Sequence, residues 1–234
     1  MTGAFLVRLV GITAHYRDPR YNTGSIGRNS LPIGTLHCPP PCTVHAMLCA
    51  ARGGWVDTSR LVMGWRMDFD AVCADFQTCH LPQRNEYNFK CGTQKEKISP
   101  RLREFLAFPR LTILVINGAD SAWFRRPVNP LLFGRSEDLI TAKEVVSDVR
   151  WTPCDEGKIR RQCLPMFVGS GPLYPAPLYF APNRIPIAMS PKTDARLEQV
   201  VRAGTFNRQR PLARLDETGE TFFLWEYGGA VSQE

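Results

Sequence analysis

The sequence predicts an α+β fold: a ferredoxin-like β-α-β-β-α-β domain with a protruding hairpin and a smaller β-rich C-terminal part. Three observations predict it. Within the first 54 residues an apolar strand runs into a basic loop and then a proline-stopped helix, the way such a unit opens. A polar arm over 77–99 interrupts the apolar pattern. Beyond about residue 148, prolines and glycines become dense and only short β-prone pieces remain.

Each element follows from its residues. Residues 5–10 form the opening strand, which ends at Gly11. The loop after it carries His15, Tyr16, Arg17, Arg20, Tyr21, Asn22 and Arg28. Pro39, Pro40 and Pro41 lead into Cys42 and Thr43 and start a helix, because proline at the first helical position lacks only an N–H that would be unpaired anyway. Val44, Met47, Leu48 and Ala51 then recur at i, i+3, i+4 and i+7, one face of a helix, and Gly53-Gly54 stops it. Residues 61–76 read as strand, with Val62, Met67, Phe69 and Val72 among polar neighbours.

The arm over 77–99 has no apolar face wide enough to bury and breaks at Pro82 and Gly92. It carries Arg84, Tyr87, Phe89, Lys90, Lys95 and Lys97, including three of the six lysines in the chain. Residues 100–108 read as a short helix with Leu102, Phe105 and Leu106 on its apolar side. Residues 111–116 are a continuous apolar run ending at Asn117-Gly118, the clearest buried strand. Gly134 permits a tight turn that presents Arg135 and Ser136. The expected organisation is therefore 1–148 for the ferredoxin-like domain and 149–234 for the small β-rich part, in which 221–227 is a closing strand.

The charge balance narrows the function. The 234 residues carry a net +7, and arginine supplies 23 of the 29 cations. Arginine's planar fork grips phosphate oxygens in pairs and stacks on bases. A GC-rich genome also enriches arginine, so position has to decide. Six arginines, no lysine and two aspartates in residues 1–60 concentrate the charge beside the first loop. No apolar run approaches the roughly 20 residues needed to span a bilayer, and no secretory signal is recognisable, so a cytoplasmic protein with no membrane partner is expected.

Enzyme signatures are thin. The sequence contains no P-loop, no G-x-S-x-G, no H-E-x-x-H and no G-x-G-x-x-G, and no cofactor is expected. Asp68 and Asp70 form a D-x-D pair without a third ligand at a telling spacing. The eight cysteines include no C-x2-C pair and read as buried thiols, not a zinc site. A tyrosine, lysine and histidine can cut RNA without metal, but His15 reads first as a packed or neutral hydrogen-bonding side chain. Binding asks for less: cations for phosphates, aromatic or arginine planes for bases, and backbone N–H groups at tight turns. The first loop, the arm and the Gly134-Arg135-Ser136 turn supply all three.

Residues 6–19, the Pro39-Pro40-Pro41-Cys42-Thr43 helix start, Arg103-Glu104-Phe105-Leu106 before the strand at 111–116, and Leu132-Phe133-Gly134-Arg135-Ser136-Glu137 occur in order over about residues 5–140. In this they resemble the Cas five family, RAMP-superfamily subunits of type I CRISPR effector (Cascade) complexes, with a type I-B-like member as the nearest expectation. The resemblance implies an RRM-like domain with a thumb hairpin over 77–99. It implies a ribonucleoprotein subunit that binds and caps the crRNA 5′ handle. Its expected partners are that crRNA, the first Cascade backbone subunit, the large PAM-reading subunit, and target DNA indirectly through the complex. Antiviral defence or RNA-guided transposition would be served. Two departures stand out: 118–130 leaves little room for the usual second long helix, and no Tyr, Lys and His set of the processing subtype can be placed. A non-catalytic role is expected, with a metal-independent crRNA-processing endoribonuclease or a general RNA-binding protein as alternatives.

Overall fold

The computed structural model describes residues 3–21, 33–81, 97–166, 168–202 and 212–228. In chain order the first part holds β1 (Phe5–Gly11), β2 (Thr13–Ala14), α1 (Pro41–Arg52), β3 (Val62–Asp68), β4 (Ala71–Leu81), β5 (Lys97–Ala107), β6 (Arg110–Asn117), α2 (Ala122–Arg125) and β7 (Ile140–Val146). The second part is built from short strands: β8 (Trp151–Cys154), β9 (Glu156–Ile159), β10 (Gln162–Pro165), β11 (Leu173–Ala176), β12 (Tyr179–Phe180), β13 (Pro186–Ile187), β14 (Ser190–Ala195), β15 (Gln199–Arg202), β16 (Leu212–Leu215), β17 (Thr221–Phe223) and β18 (Trp225–Glu226). The class is α+β, with strands predominating among the described residues.

The central sheet runs β18-β3-β6-β1-β7, antiparallel throughout. Alternation along β1 sorts its residues between two layers. Phe5, Val7 and Leu9 join Trp65, Met67, Leu111 and Ile113 in one core with Val44, Met47, Leu48 and Ala51 of α1. Leu6 and Leu114 face the other way and pack with Ala213, Leu215, Phe222 and Leu224. Each such side chain, fully buried, contributes about 1.5–3 kcal/mol. Both faces are therefore covered at this end of the sheet.

The start and stop of α1 are those its sequence encodes. Pro40 is extended before the helix, and Pro41 occupies the first helical position. Gly53 turns left-handed at φ 82°, and its N–H reaches the carbonyls of Cys49 and Ala50. The next strap finishes the end: Val128 N–H donates to Ala51 and Asn129 N–H to Ala50. At the start, Trp65 Nε1 donates to the Pro39 carbonyl at 3.0 Å and Tyr227 Oη to that of Pro41 at 3.0 Å. The second helix is one turn long, Ala122–Arg125, so the short 118–130 span does abbreviate this half.

The arm differs from its expected form in two ways. It begins at Ala71 and ends at Ala107, paired in unbroken register from Ala71–Ala107 to Leu81–Lys97, so it is rooted deeper than 77–99. Residues 100–108 are not a helix but the second strand of this hairpin. A nine-residue helix is marginal alone, whereas pairing with β4 along all eleven residues of each strand fixes 97–107 as extended. On its other edge, β5 takes up β2, with Thr13 opposite Ala107 and Ala14 opposite Leu106.

The C-terminal strands return to the first sheet. Residues 221–227, expected as one strand, split into β17, which pairs with β16, and β18, which pairs with β3 through Trp225–Met63. Gln162 bridges the layers: its amide donates to the Thr221 carbonyl at 2.7 Å and accepts from Phe223 N–H at 2.9 Å. Among the described residues, no helix is long and apolar enough to cross a membrane.

Candidate nucleic-acid interface

Three segments meet at the root of the hairpin. The chain after β2 is laced into place: His15 N–H donates to the Phe133 carbonyl, Tyr16 N–H to Thr35 Oγ1, and Asp18 N–H to the Gly34 carbonyl. Arg17 bridges to Thr35. Glu104 of β5 ties the same region together, its carboxylate accepting from Thr35 N–H and its carbonyl accepting from His15 Nδ1–H at 2.7 Å. That bond fixes the His15 tautomer. Burial pulls the imidazole pKa down, with Arg103 and Arg135 adding to it against the Glu104 hydrogen bond. His15 is thus a neutral, buried side chain at the wall of the site.

The turn at 133–138 is built around Gly134, whose φ is 119°. A Cβ there would run into the His15 carbonyl oxygen, so only glycine lets this turn lie on the first loop. Arg135 is held by a buried carboxylate: its Nε donates to Asp138 Oδ2 at 2.9 Å and a terminal nitrogen to Oδ1 at 2.6 Å. The Arg135 backbone N–H also donates to Asp138, at 3.1 Å. Thr13 Oγ1 donates to Asp138 as well, at 2.5 Å, and Glu137 pairs with Arg135 at 3.2 Å. Burial alone would raise the Asp138 pKa, but the hydrogen bonds from Arg135 and Thr13 outweigh it and the net direction is down. Ser136 Oγ donates to Glu137.

Two clefts flank this junction. The larger, about 590 Å³, is lined by His15, Arg17, Thr43, Arg103, Gly134 and Arg135, with Ile33, Pro40 and Tyr16 at its walls. The smaller, about 270 Å³, is lined by Thr13, Asp75, Phe76, Gln77, Arg103, Phe105, Arg135 and Glu137. Arg103 and Arg135 border both.

The expected site residues divide accordingly. His15, Arg17, Gly134 and Arg135 come together at the larger cleft. Ser136 sits exposed on the same turn. Tyr16 is no stacking platform: it is 3% exposed and edge-on to Phe133 at 6.5 Å, and burial pushes its hydroxyl pKa up. Arg20 folds back on Asp18, its Nε 2.9 Å from Oδ1. Tyr21 closes a short 3-10 turn, Pro19–Tyr21, and Lys97 opens β5. Asn22, Arg28, Arg84, Tyr87, Lys90 and Lys95 lie outside the described residues.

The sequence reading passed over Arg103. In a helix it would sit beside Leu102 and Leu106; in a strand it shares one face with Phe105, and the alternation from Arg101 to Ala107 is the signal that could have revealed it. Asp68 and Asp70 are engaged by arginines, Asp68 with Arg66 at 2.9 Å and Asp70 with Arg110 at 2.8 Å. No group of three metal-ligating side chains is found among the described residues. Cys38 and Cys163 are buried thiols, and burial pushes Cys163 up to about 12.

No family model and no curated protein matches the chain. Among solved structures it is similar to a chain of a CRISPR RNA-guided surveillance complex. Identity is 17%, coverage is 86% of this chain and 92% of that one, and the TM-score is 0.54. What is shared is the fold. It is also similar to a CRISPR protein from Archaeoglobus fulgidus, at 11% identity and TM-score 0.48 over 94% and 98% of the two chains. A chain of the type III-B Cmr-beta complex bound to cognate target RNA stands at 11% and 0.48, over 86% of each.

Proposed function

We propose that this chain is a non-catalytic, RNA-binding subunit of a type I CRISPR effector complex, which caps the 5′ handle of the guide RNA. The observation that carries the reading is the convergence of the first loop, the hairpin root and the 133–138 turn on two arginine-bordered clefts. The strand order β7-β1-β6-β3, with crossings through α1 and α2, supports a ferredoxin-like reading of the first half. The shared fold with a chain of an RNA-guided surveillance complex supports the setting. In that setting the guide reads target sequence by base pairing, and the protein holds the guide by its backbone and shape. The hairpin would lie over the guide beside the first backbone subunit, and the protein would contact the large PAM-reading subunit. Defence and RNA-guided transposition both use such a subunit.

Binding is tested by comparing labelled handle RNA with a scrambled RNA of equal length at physiological salt. A clear preference for the handle is expected; equal affinities would leave only a general RNA-binding protein. One observation favours a second reading as an endoribonuclease: His15 is neutral and tautomer-fixed beside Arg103 and Arg135. Incubating the protein with repeat RNA in EDTA is expected to leave it intact. A discrete cut upstream of the handle would replace the non-catalytic reading.

A further inference from the structure

Arg103 differs from several other arginines among the described residues. Arg20, Arg66, Arg110, Arg135 and Arg196 each pair with a carboxylate. Arg103 has no such partner among the described residues, although Asp75 stands directly opposite it in the β4–β5 register. Its Nε is buried with no hydrogen-bond partner there. A buried donor left unpaired on a cationic group is destabilising, so the fold holds this guanidinium in readiness for something it does not itself supply. Its position says what. Arg103 borders both clefts.

The smaller cleft has the character of a site for an unpaired base. Phe105 lies two residues along the same face of β5 and lines it, with Gln77 supplying an amide. Arg135, by contrast, is neutralised in place by Asp138 and Glu137 and acts as a positioning residue for the turn. We propose that Arg103 is the anion anchor of the groove: it holds one phosphodiester of a single-stranded RNA where the strand crosses between the clefts, and the attached base lies against Phe105. The inference rests on the RNA-binding reading above and names the contact that reading lacks.

The test uses the full chain, a fluorescently labelled single-stranded handle RNA and the same strand annealed to its complement. Arg103→Ala is expected to weaken single-strand binding about tenfold to a hundredfold and to lower the salt slope by about one phosphate contact. Arg103→Lys restores the slope but not the full affinity, because the planar fork is lost. Phe105→Leu weakens binding without changing the slope, and the duplex binds more weakly than the single strand. The melting temperature without RNA separates this from a structural role. An anchor awaiting its ligand gives Arg103→Ala a melting temperature equal to or above that of the unaltered chain, while the rise on adding RNA shrinks. If the unaltered chain binds neither RNA, the functional reading fails and the anchor with it. If it binds and Arg103→Ala binds equally well, or melts several degrees lower with an unchanged salt slope, the anchor alone is overturned.

Discussion

Gly134 shows how one residue sets the site. Its left-handed backbone and the His15 carbonyl beside it leave no room for a side chain. Gly134→Ala should therefore cost about 2 kcal/mol or more, lowering the melting temperature by about 4–8 °C in a chain of this size. An unchanged melting temperature would show that the turn can move off the first loop. Gly134 could be read from the sequence as a turn, since its neighbours Arg135 and Ser136 are polar. The fate of Arg135 could not, because its fork is claimed by an aspartate three residues on, which a threonine from β2 also holds. Tyr16 was equally hidden: a tyrosine in a basic loop reads as a stacking surface until Phe133 is placed against it.

At the scale of elements, the hairpin is the informative case. Its polar stretch was legible as an arm, yet its root was not, because 61–76 and 100–108 look like different kinds of structure when each is read alone. Leu102, Phe105 and Leu106 fit one helical turn as well as they fit a strand. Only the partner strand decides, by offering a backbone ladder from Ala71 to Leu81. Val72, Ala74, Asp75 and Phe76 of β4 are exposed, so this stretch of β4 contributes little burial. Replacing residues 79–99 by an Asn-Gly turn should keep the melting temperature within a few degrees, while weakening affinity for the handle RNA. A large fall would mean that the arm packs as core. The helix α1 was the opposite case: Pro41, the apolar spacing and Gly53 are local signals, and each acts within one turn of its own position.

The whole molecule is held together by its return to the first sheet. Trp225 pairs with Met63, stacks on Trp65 at 6.1 Å, and donates from Nε1 to the Cys163 carbonyl at 3.1 Å. Trp225→Ala should cost about 3–5 kcal/mol, and the fragment 1–148 should fail to give a cooperative melt. A fragment that melts sharply would show that the second part only decorates the first. The interior also makes a pH prediction. His15, His37 and His45 are all lowered, first by burial, with His37 pushed down to about 4. Unfolded histidines take up a proton near 6.5, so the unfolded chain binds more protons below that value. Stability is then full above about pH 6.5 and falls as pH drops toward about 4. Melts at about pH 7.5 and about pH 5 should show the lower temperature at pH 5; equal values would mean that these rings are hydrated.

The sequence by itself determined what depends on near neighbours: the opening strand, the ends of α1, the buried strand before Asn117, the polar arm, and the arginine-led charge beside the first loop. Periodicity, proline, glycine and composition act within a turn or a few residues, so they can be read without a partner. The tertiary structure alone decided that Arg135 is already neutralised and that Arg103, among the described residues, has no carboxylate. Pairing between Arg135 and Asp138 across a turn, the ladder that makes 97–107 a strand, and the return of Trp225 to β3 are contacts between chosen partners. A free guanidinium and a satisfied one are the same letter in a sequence, and only the surrounding carboxylates tell them apart.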